Sequence, residues 1–107
     1  MKIKIGPKTY QVKECKSILS KLRGFMFNLS EEAILFPFKK ELRVDMTMLF
    51  VFHKLQILYL DKNKKIIKSE IRKPFEPLFF SPKCQYILEL KDVKSKFKMG
   101  SKIITNI

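Results

Sequence analysis

The sequence predicts a mainly β (α+β) domain: a compact, mostly antiparallel, barrel-like sheet of about seven to nine short strands with one or two short helices. Three observations predict it. Short segments alternate apolar and polar residues with period two, and Gly, Pro, Asp and Asn separate them. Only one stretch, near residues 15–23, keeps clear helical spacing. The 107 residues are 46% hydrophobic, enough for one core and no second, so 1–107 is read as a single domain.

The elements follow in order. Lys2-Ile3-Lys4-Ile5 alternates as a half-buried strand, Gly6-Pro7 turns the chain, and Thr9 to Lys13 pairs back as a hairpin. Ile18, Leu19, Leu22, Phe25 and Met26 then fall on one helical face, ending near Gly24. Ser30 can cap a turn before Glu31-Glu32. Ala33 to Phe38 reads as a strand, with Pro37 at an edge or strand end because it lacks an N–H. Val44 to Phe52 is apolar and β-prone, and His53-Lys54 interrupts it. Leu55 to Leu60 is the central strand. Asp61-Lys62-Asn63-Lys64 is a hairpin turn, since Asp and Asn bond their own backbone. Lys65 to Ile71 returns as the partner. Pro74, Pro77 and Pro82 hold an extended loop carrying Phe75, Leu78, Phe79 and Phe80. Gln85 to Leu90 is a strand, Asp92 to Met99 a short polar helix or turn stopped by Gly100, and Lys102 to Ile107 the last strand.

Charge and composition exclude several function classes. Lys+Arg number 23 against 10 Asp+Glu, a net charge of +13. The excess is spread along the chain, without a basic tail. Only Arg23, Arg43 and Arg72 carry the planar fork that grips phosphates bidentately, so most of the charge is hydrated lysine. Such a chain attracts polyanions at low salt: an anionic ligand, an acidic protein, an acidic membrane surface and nucleic acid are the partners it suggests. Three glycines cannot make a phosphate-cradling loop. Cys15 and Cys84 form no C-x-x-C, so no zinc or dithiol site is written, and no cofactor or metal is expected. No apolar run reaches the roughly 18–20 residues of a transmembrane segment, nor does the start read as a signal peptide. The expectation is a cytoplasmic protein with reduced thiols. It is a monomer or a weak homodimer paired through an exposed edge strand.

The order of these pieces resembles the family called domain of unknown function 192. Its arginine-glycine-leucine-methionine stretch is matched by Arg23-Gly24-Phe25-Met26. Its phenylalanine-x-phenylalanine segment is matched by Phe36-Pro37-Phe38, and its methionine-bearing strand by Val44-Asp45-Met46-Thr47-Met48. Its tyrosine-x-leucine-glutamate strand resembles Tyr86-Ile87-Leu88-Glu89. The likeness runs from about Val12 to Ile107. It implies a compact, mainly antiparallel β fold with short helices and leaves the activity open. Two departures stand out. The family's proline-x-aspartate is Lys54-Leu55-Gln56 here, an amide for a carboxylate. The glycine usual after the leucine-glutamate pair is missing in Leu90-Lys91-Asp92-Val93.

The candidate binding residues are Arg23, Gly24, Met26, Met46, Met48, Gln56, Phe79, Phe80 and Glu89. Arg23 can clamp a phosphate or carboxylate, or fasten the helix end to a strand. The methionines offer adaptable apolar contacts. Glu89 shares a face with Ile87, and is expected to point outward or to pair with a cation such as Arg23. Phe75, Phe79 and Phe80 either cover the barrel mouth or mark a binding patch. Phe97 between lysines, and Phe38 before Lys39-Lys40, loosely fit aromatic–cation interleaving for nucleic acid. His53 with a cysteine makes a weak case for a nucleophile. The reading is a ligand- or partner-binding module without catalysis. The alternative is nonspecific nucleic-acid binding through lysines, and a third is an enzyme using Glu89, Asp45 or His53.

Overall fold

The computed structural model describes residues 1–15, 32–48, 51–76 and 78–105. Among them the chain forms nine strands: β1 (Lys2–Ile5), β2 (Lys8–Glu14), β3 (Ala33–Leu42), β4 (Asp45–Met46), β5 (Leu55–Leu60), β6 (Ile66–Arg72), β7 (Phe79–Phe80), β8 (Cys84–Leu90) and β9 (Ile104–Thr105). Seven build one sheet in the order β6-β5-β8-β3-β2-β1-β9, and β4 pairs with β7 in a separate ribbon. All pairings are antiparallel except β2 with β3. A parallel pair needs a crossover, and residues 15–32 are long enough to make it.

The period-two segments become strands where expected. Ile3 and Tyr10 pair across the β1–β2 hairpin, and Gly6 supplies the positive φ of its turn. The Asp61–Lys64 turn forms as read. The Asp61 carboxylate accepts the backbone N–H groups of Asn63 (2.8 Å) and Lys65 (3.0 Å), and Lys64 takes the left-handed φ of 62°. Pro37 pairs with Tyr86 on β8, while the β2 ladder stops at Leu35. Its missing N–H therefore costs no ladder bond.

The sheet curls until its ends approach each other. Lys65 bridges Lys102, just ahead of β9, so the β6 edge meets the β9 edge at one end of the barrel. The inner face is packed by Ile3, Ile5, Tyr10, Val12, Leu35, Leu58, Leu60, Leu88 and Ile103 among others. The outer face divides in two. Over β3, β8 and β5 it carries a second buried cluster, including Ile34, Phe36, Ile57, Tyr59 and Ile87. The β4–β7 ribbon and its flanking loops cap this half through Met48, Val51 and Phe79. Over β2, β1 and β9 no buried cluster covers the outer face among the described residues, and Lys2, Lys4, Gln11 and Lys13 are exposed there. Because β5 is covered on both sides, all six of its residues are buried.

Two expectations need correction and one is narrowed. Among the described residues of Val44–Phe52 only Asp45–Met46 pairs as a strand. Val51 donates its N–H to the Met48 carbonyl (3.1 Å), and both side chains are buried in the cap. Of the helix or turn read over Asp92–Met99, the turn is what forms. The Asp92 carboxylate accepts the N–H groups of Lys94 (3.0 Å) and Ser95 (3.3 Å), which fixes an irregular turn. Among the described residues there is no helix, so the one or two short helices are not seen. The helix read near 15–23 and the Ser30 cap fall on residues 16–31, outside the described residues.

Candidate functional site

The cap and the outer face beneath it hold most of the candidate residues. Strand register sets them in rows. Ile34, Glu89, Ile57 and Glu70 lie side by side across β3, β8, β5 and β6. The next row is Phe36, Ile87, Tyr59 and Lys68. Met46, Met48 and Phe79 pack onto this surface from the cap. Glu89, Met46, Met48 and Phe79 are thus brought together, as the sequence grouped them.

Glu89 is neither outward nor paired as expected. It is 9% exposed, between two isoleucines, and no hydrogen bond or ion pair reaches it among the described residues. Burial in apolar surroundings disfavours the carboxylate and pushes its pKa up to about 8. At neutral pH it is mainly a protonated acid, able to donate one hydrogen bond.

Beside it lies a polar latch that the sequence reading missed. Tyr59 donates its hydroxyl to Glu70 Oε1 (2.8 Å), and Arg72 Nε donates to the same oxygen (2.9 Å). Lys68 Nζ lies 3.2 Å from Glu70 Oε2. Arg72 Nη1 donates to Glu76 Oε2 (3.1 Å), while its guanidinium stacks 4.2 Å from the Phe79 ring centre. Arg72 so ties β6 to the cap loop. Burial opposes ionisation of Glu70, but bonds from Arg72, Tyr59 and Lys68 outweigh it and lower its pKa. The signal available was the alternation Lys68-x-Glu70-x-Arg72, which puts three charges on one strand face. Nothing in the sequence said that this face is covered.

The other candidates separate. Gln56 lies on the opposite, inner face, beside Leu90 rather than Glu89. It donates Nε2 to Ser69 Oγ (3.2 Å), and its Oε1 is buried without a partner. Arg23, Gly24 and Met26 lie outside the described residues. The aromatic loop splits: Phe79 is 4% exposed and seals the cap, whereas Phe80 is 62% exposed and points away. Phe75 and Phe52, each 50% exposed, meet edge to face with ring centres 5.4 Å apart, and Leu78 is exposed as well. Phe75 holds a φ of +64°, a left-handed conformation that a bulky residue rarely adopts. Its N–H is anchored on the Met48 carbonyl (3.0 Å).

The residues considered for catalysis do not converge. Asp45 lies opposite Phe80 on the exposed side of the cap, across the ribbon from Glu89. Cys15 and Cys84 are buried and not bridged to each other, and burial pushes the Cys84 thiol up, away from the reactive thiolate. His53 is half-buried, with Nδ1 3.3 Å from the Lys54 carbonyl. Among the described residues no three of His, Cys, Asp and Glu cluster as metal ligands. No helix there is long and apolar enough to cross a membrane. Phe97 packs edgewise on Tyr10 and Phe38 packs against the outer-face core, so neither offers a free stacking ring.

The fold has counterparts among solved structures. A protein of unknown function from Novosphingobium aromaticivorans superposes with a TM-score of 0.84 at 14% identity, over 96% of this chain and 83% of that one. A "putative transcription regulator" from Sinorhizobium meliloti superposes with a TM-score of 0.82 at 19% identity, over 96% of this chain and 89% of that one. At such identities the likeness establishes shared architecture alone. No curated protein matches the chain in sequence. The family model DUF192, described as "Uncharacterized ACR", matches residues 1–103, which hold β1 to β8, the cap and the latch. The chain therefore belongs to the DUF192 family.

Proposed function

We propose that this domain is a non-catalytic binding module whose contact surface is the outside of the β4–β7 cap. The observation that carries the reading is the division of the cap's apolar side chains. Met46, Met48 and Phe79 turn inward, while Phe52, Phe75, Leu78 and Phe80 remain exposed on one short stretch of fold. Exposed apolar clusters of this kind mark contact surfaces. The left-handed backbone at Phe75 supports the same reading, because its strain, about 1–2 kcal/mol, offsets what the half-exposed ring gains against Phe52. Beneath the cap, Met46, Met48, Phe79 and protonated Glu89 offer an apolar wall with one hydrogen-bond donor. Arg23, Gly24 and Met26 stay candidate contributors by sequence. Gln56, on the inner face, belongs to neither surface.

The test is photo-crosslinking in cells expressing the full chain, with a benzophenone side chain at position 80 and a control at exposed position 40. A discrete adduct from position 80 that disappears on Phe52→Ala/Phe75→Ala, with none from position 40, is the expected result. Equal adducts from both positions, or none from position 80, would overturn the reading.

A further inference from the structure

The uncapped half of the outer face carries a second surface, independent of the cap. Ile3, Ile5, Tyr10, Val12 and Ile103 point inward. Alternation therefore turns Lys2, Lys4, Thr9, Gln11, Lys13, Lys102 and Ile104 outward. Register joins them into one surface: Lys2 is opposite Gln11, and Lys4 lies between Thr9 and Ile104. The seam adds Lys65, directly opposite Lys102, each neighboured in sequence by a buried isoleucine. The face thus displays five lysines. No carboxylate projects from it, and none of the five is in an ion pair among the described residues.

This arrangement is unfavourable for the domain alone. Like charges directly opposite across strands repel. The Lys65–Lys102 pair is held in place by backbone bonds on both sides. Ile66 donates to the Ser101 carbonyl (2.9 Å) and Ile103 to the Lys64 carbonyl (3.0 Å), so the two amines cannot part by moving the chain. A phosphate set between them would remove the repulsion. Two lysines elsewhere do find a carboxylate, Lys68 on Glu70 and Lys8 on Asp92.

We propose that the outer face of β2, β1 and β9, extended across the seam to Lys65, binds the phosphate backbone of nucleic acid without reading its sequence. Lysine neutralises phosphates as a point charge, whereas base recognition needs forked or planar groups, and among five lysines the face offers only the single Gln11 amide, with no Arg, Asn or aromatic residue. With no ring to stack on bases, charge density decides the preference, so a duplex binds more tightly than a single strand. An acidic membrane is the less fitting partner. Ile104 is the one large apolar side chain on this face, and the exposed aromatics that would insert among headgroups lie on the cap.

The experiment is fluorescence anisotropy of the full chain with a labelled mixed-sequence duplex. Five phosphate contacts give a log–log salt slope of about −4.5, a roughly 500-fold loss of affinity between about 50 and about 200 mM salt. Lys65→Gln/Lys102→Gln should cut the slope to about −2.7, and the loss to roughly 40-fold. Its thermal midpoint should equal or exceed that of the unsubstituted protein, since the substitution removes a repulsion. The control Lys39→Gln/Lys40→Gln, an equal loss of charge at the far end of β3, should leave the slope unchanged. Any of four results would overturn the proposal: no duplex binding at the lowest salt, a control that weakens binding as much as the seam variant, tighter binding to the single strand, or preferential binding to phosphatidylserine-containing vesicles at the same salt.

Discussion

Replacing Glu89 with glutamine should stabilise the domain, by an amount that depends on pH. Burial lifts the carboxyl pKa to about 8 in the folded chain, from the 4.5 of a solvated glutamate in the unfolded one. Below both values the acid is neutral in either state, and the two proteins should be nearly equal in stability. Between them the unfolded chain has released the proton and the folded chain retains it. Folding must then take up a proton, and each pH unit removes about 1.4 kcal/mol of stability. Across the whole interval the loss is on the order of 5 kcal/mol, and it is complete once pH passes the folded value. That is comparable with the total stability of many domains of this size, so the effect is large enough to see. Glutamine has the same shape and cannot ionise. Urea unfolding followed by circular dichroism, at intervals from pH 5 to pH 8.5, should show the Glu89→Gln curve nearly level while the unsubstituted protein falls away. Parallel curves would refute the reasoning. So would a glutamine variant less stable at every pH, because that would mean the carboxylate is charged and satisfied in the folded state.

Tyr59→Phe removes one bond to an ionised acceptor and leaves Glu70 with Arg72 and Lys68. It should cost about 1.5–3 kcal/mol in urea unfolding and speed hydrogen exchange at the Met48 and Phe75 amides. Asp92→Ala removes the acceptor of the Ser95 hydroxyl (2.6 Å) and of the Tyr10 hydroxyl (2.9 Å), at about 1–3 kcal/mol near pH 7. The Ser95 bond, with the Tyr10 bond and two backbone N–H groups, holds the Asp92 carboxyl well below the usual range. Its contribution is therefore present above the unfolded pKa and lost as pH falls, so the gap between the variant and the unsubstituted protein should narrow in acid.

The strands were legible where one face is buried and the other wet. Lys2-Ile3-Lys4-Ile5 and Thr9 to Lys13 show that alternation, and both formed as read. Leu55–Leu60 was legible by its nearly continuous apolar run, and Asp61 with Asn63 announced the turn. The likeness to the DUF192 family was readable from the order of short motifs, and the family match bears it out. Burial of Glu89 was not legible. Alternation tells which residues share a face, and only the cap determines that Glu89's face is covered. Gln56 and Glu89 were grouped for the same reason. Their strands are neighbours, but the register pairs Gln56 with Leu90 and so sends the two side chains to opposite faces. The segment after Val44 misled because Met48 and Val51 are buried in the cap without belonging to a strand. Phe75, Phe79 and Phe80 have the same composition signal, and only the pairing of Met46 with Phe79 sorts the sealing ring from the exposed one.

The central claim is that the exposed cap aromatics are held out for a partner and do little for the domain itself. The unfolding free energy of Phe75→Gly/Phe80→Ser measures this directly. Glycine relieves about 1–2 kcal/mol of left-handed strain at position 75, and the lost ring pair with Phe52 forfeits about 0.5–1.5 kcal/mol. Phe80 is mostly in solvent and contributes little. The double variant should therefore unfold within about 1 kcal/mol of the unsubstituted protein. A loss of about 3 kcal/mol or more, the usual cost of deleting a buried phenylalanine, would contradict the claim and make the patch part of the core.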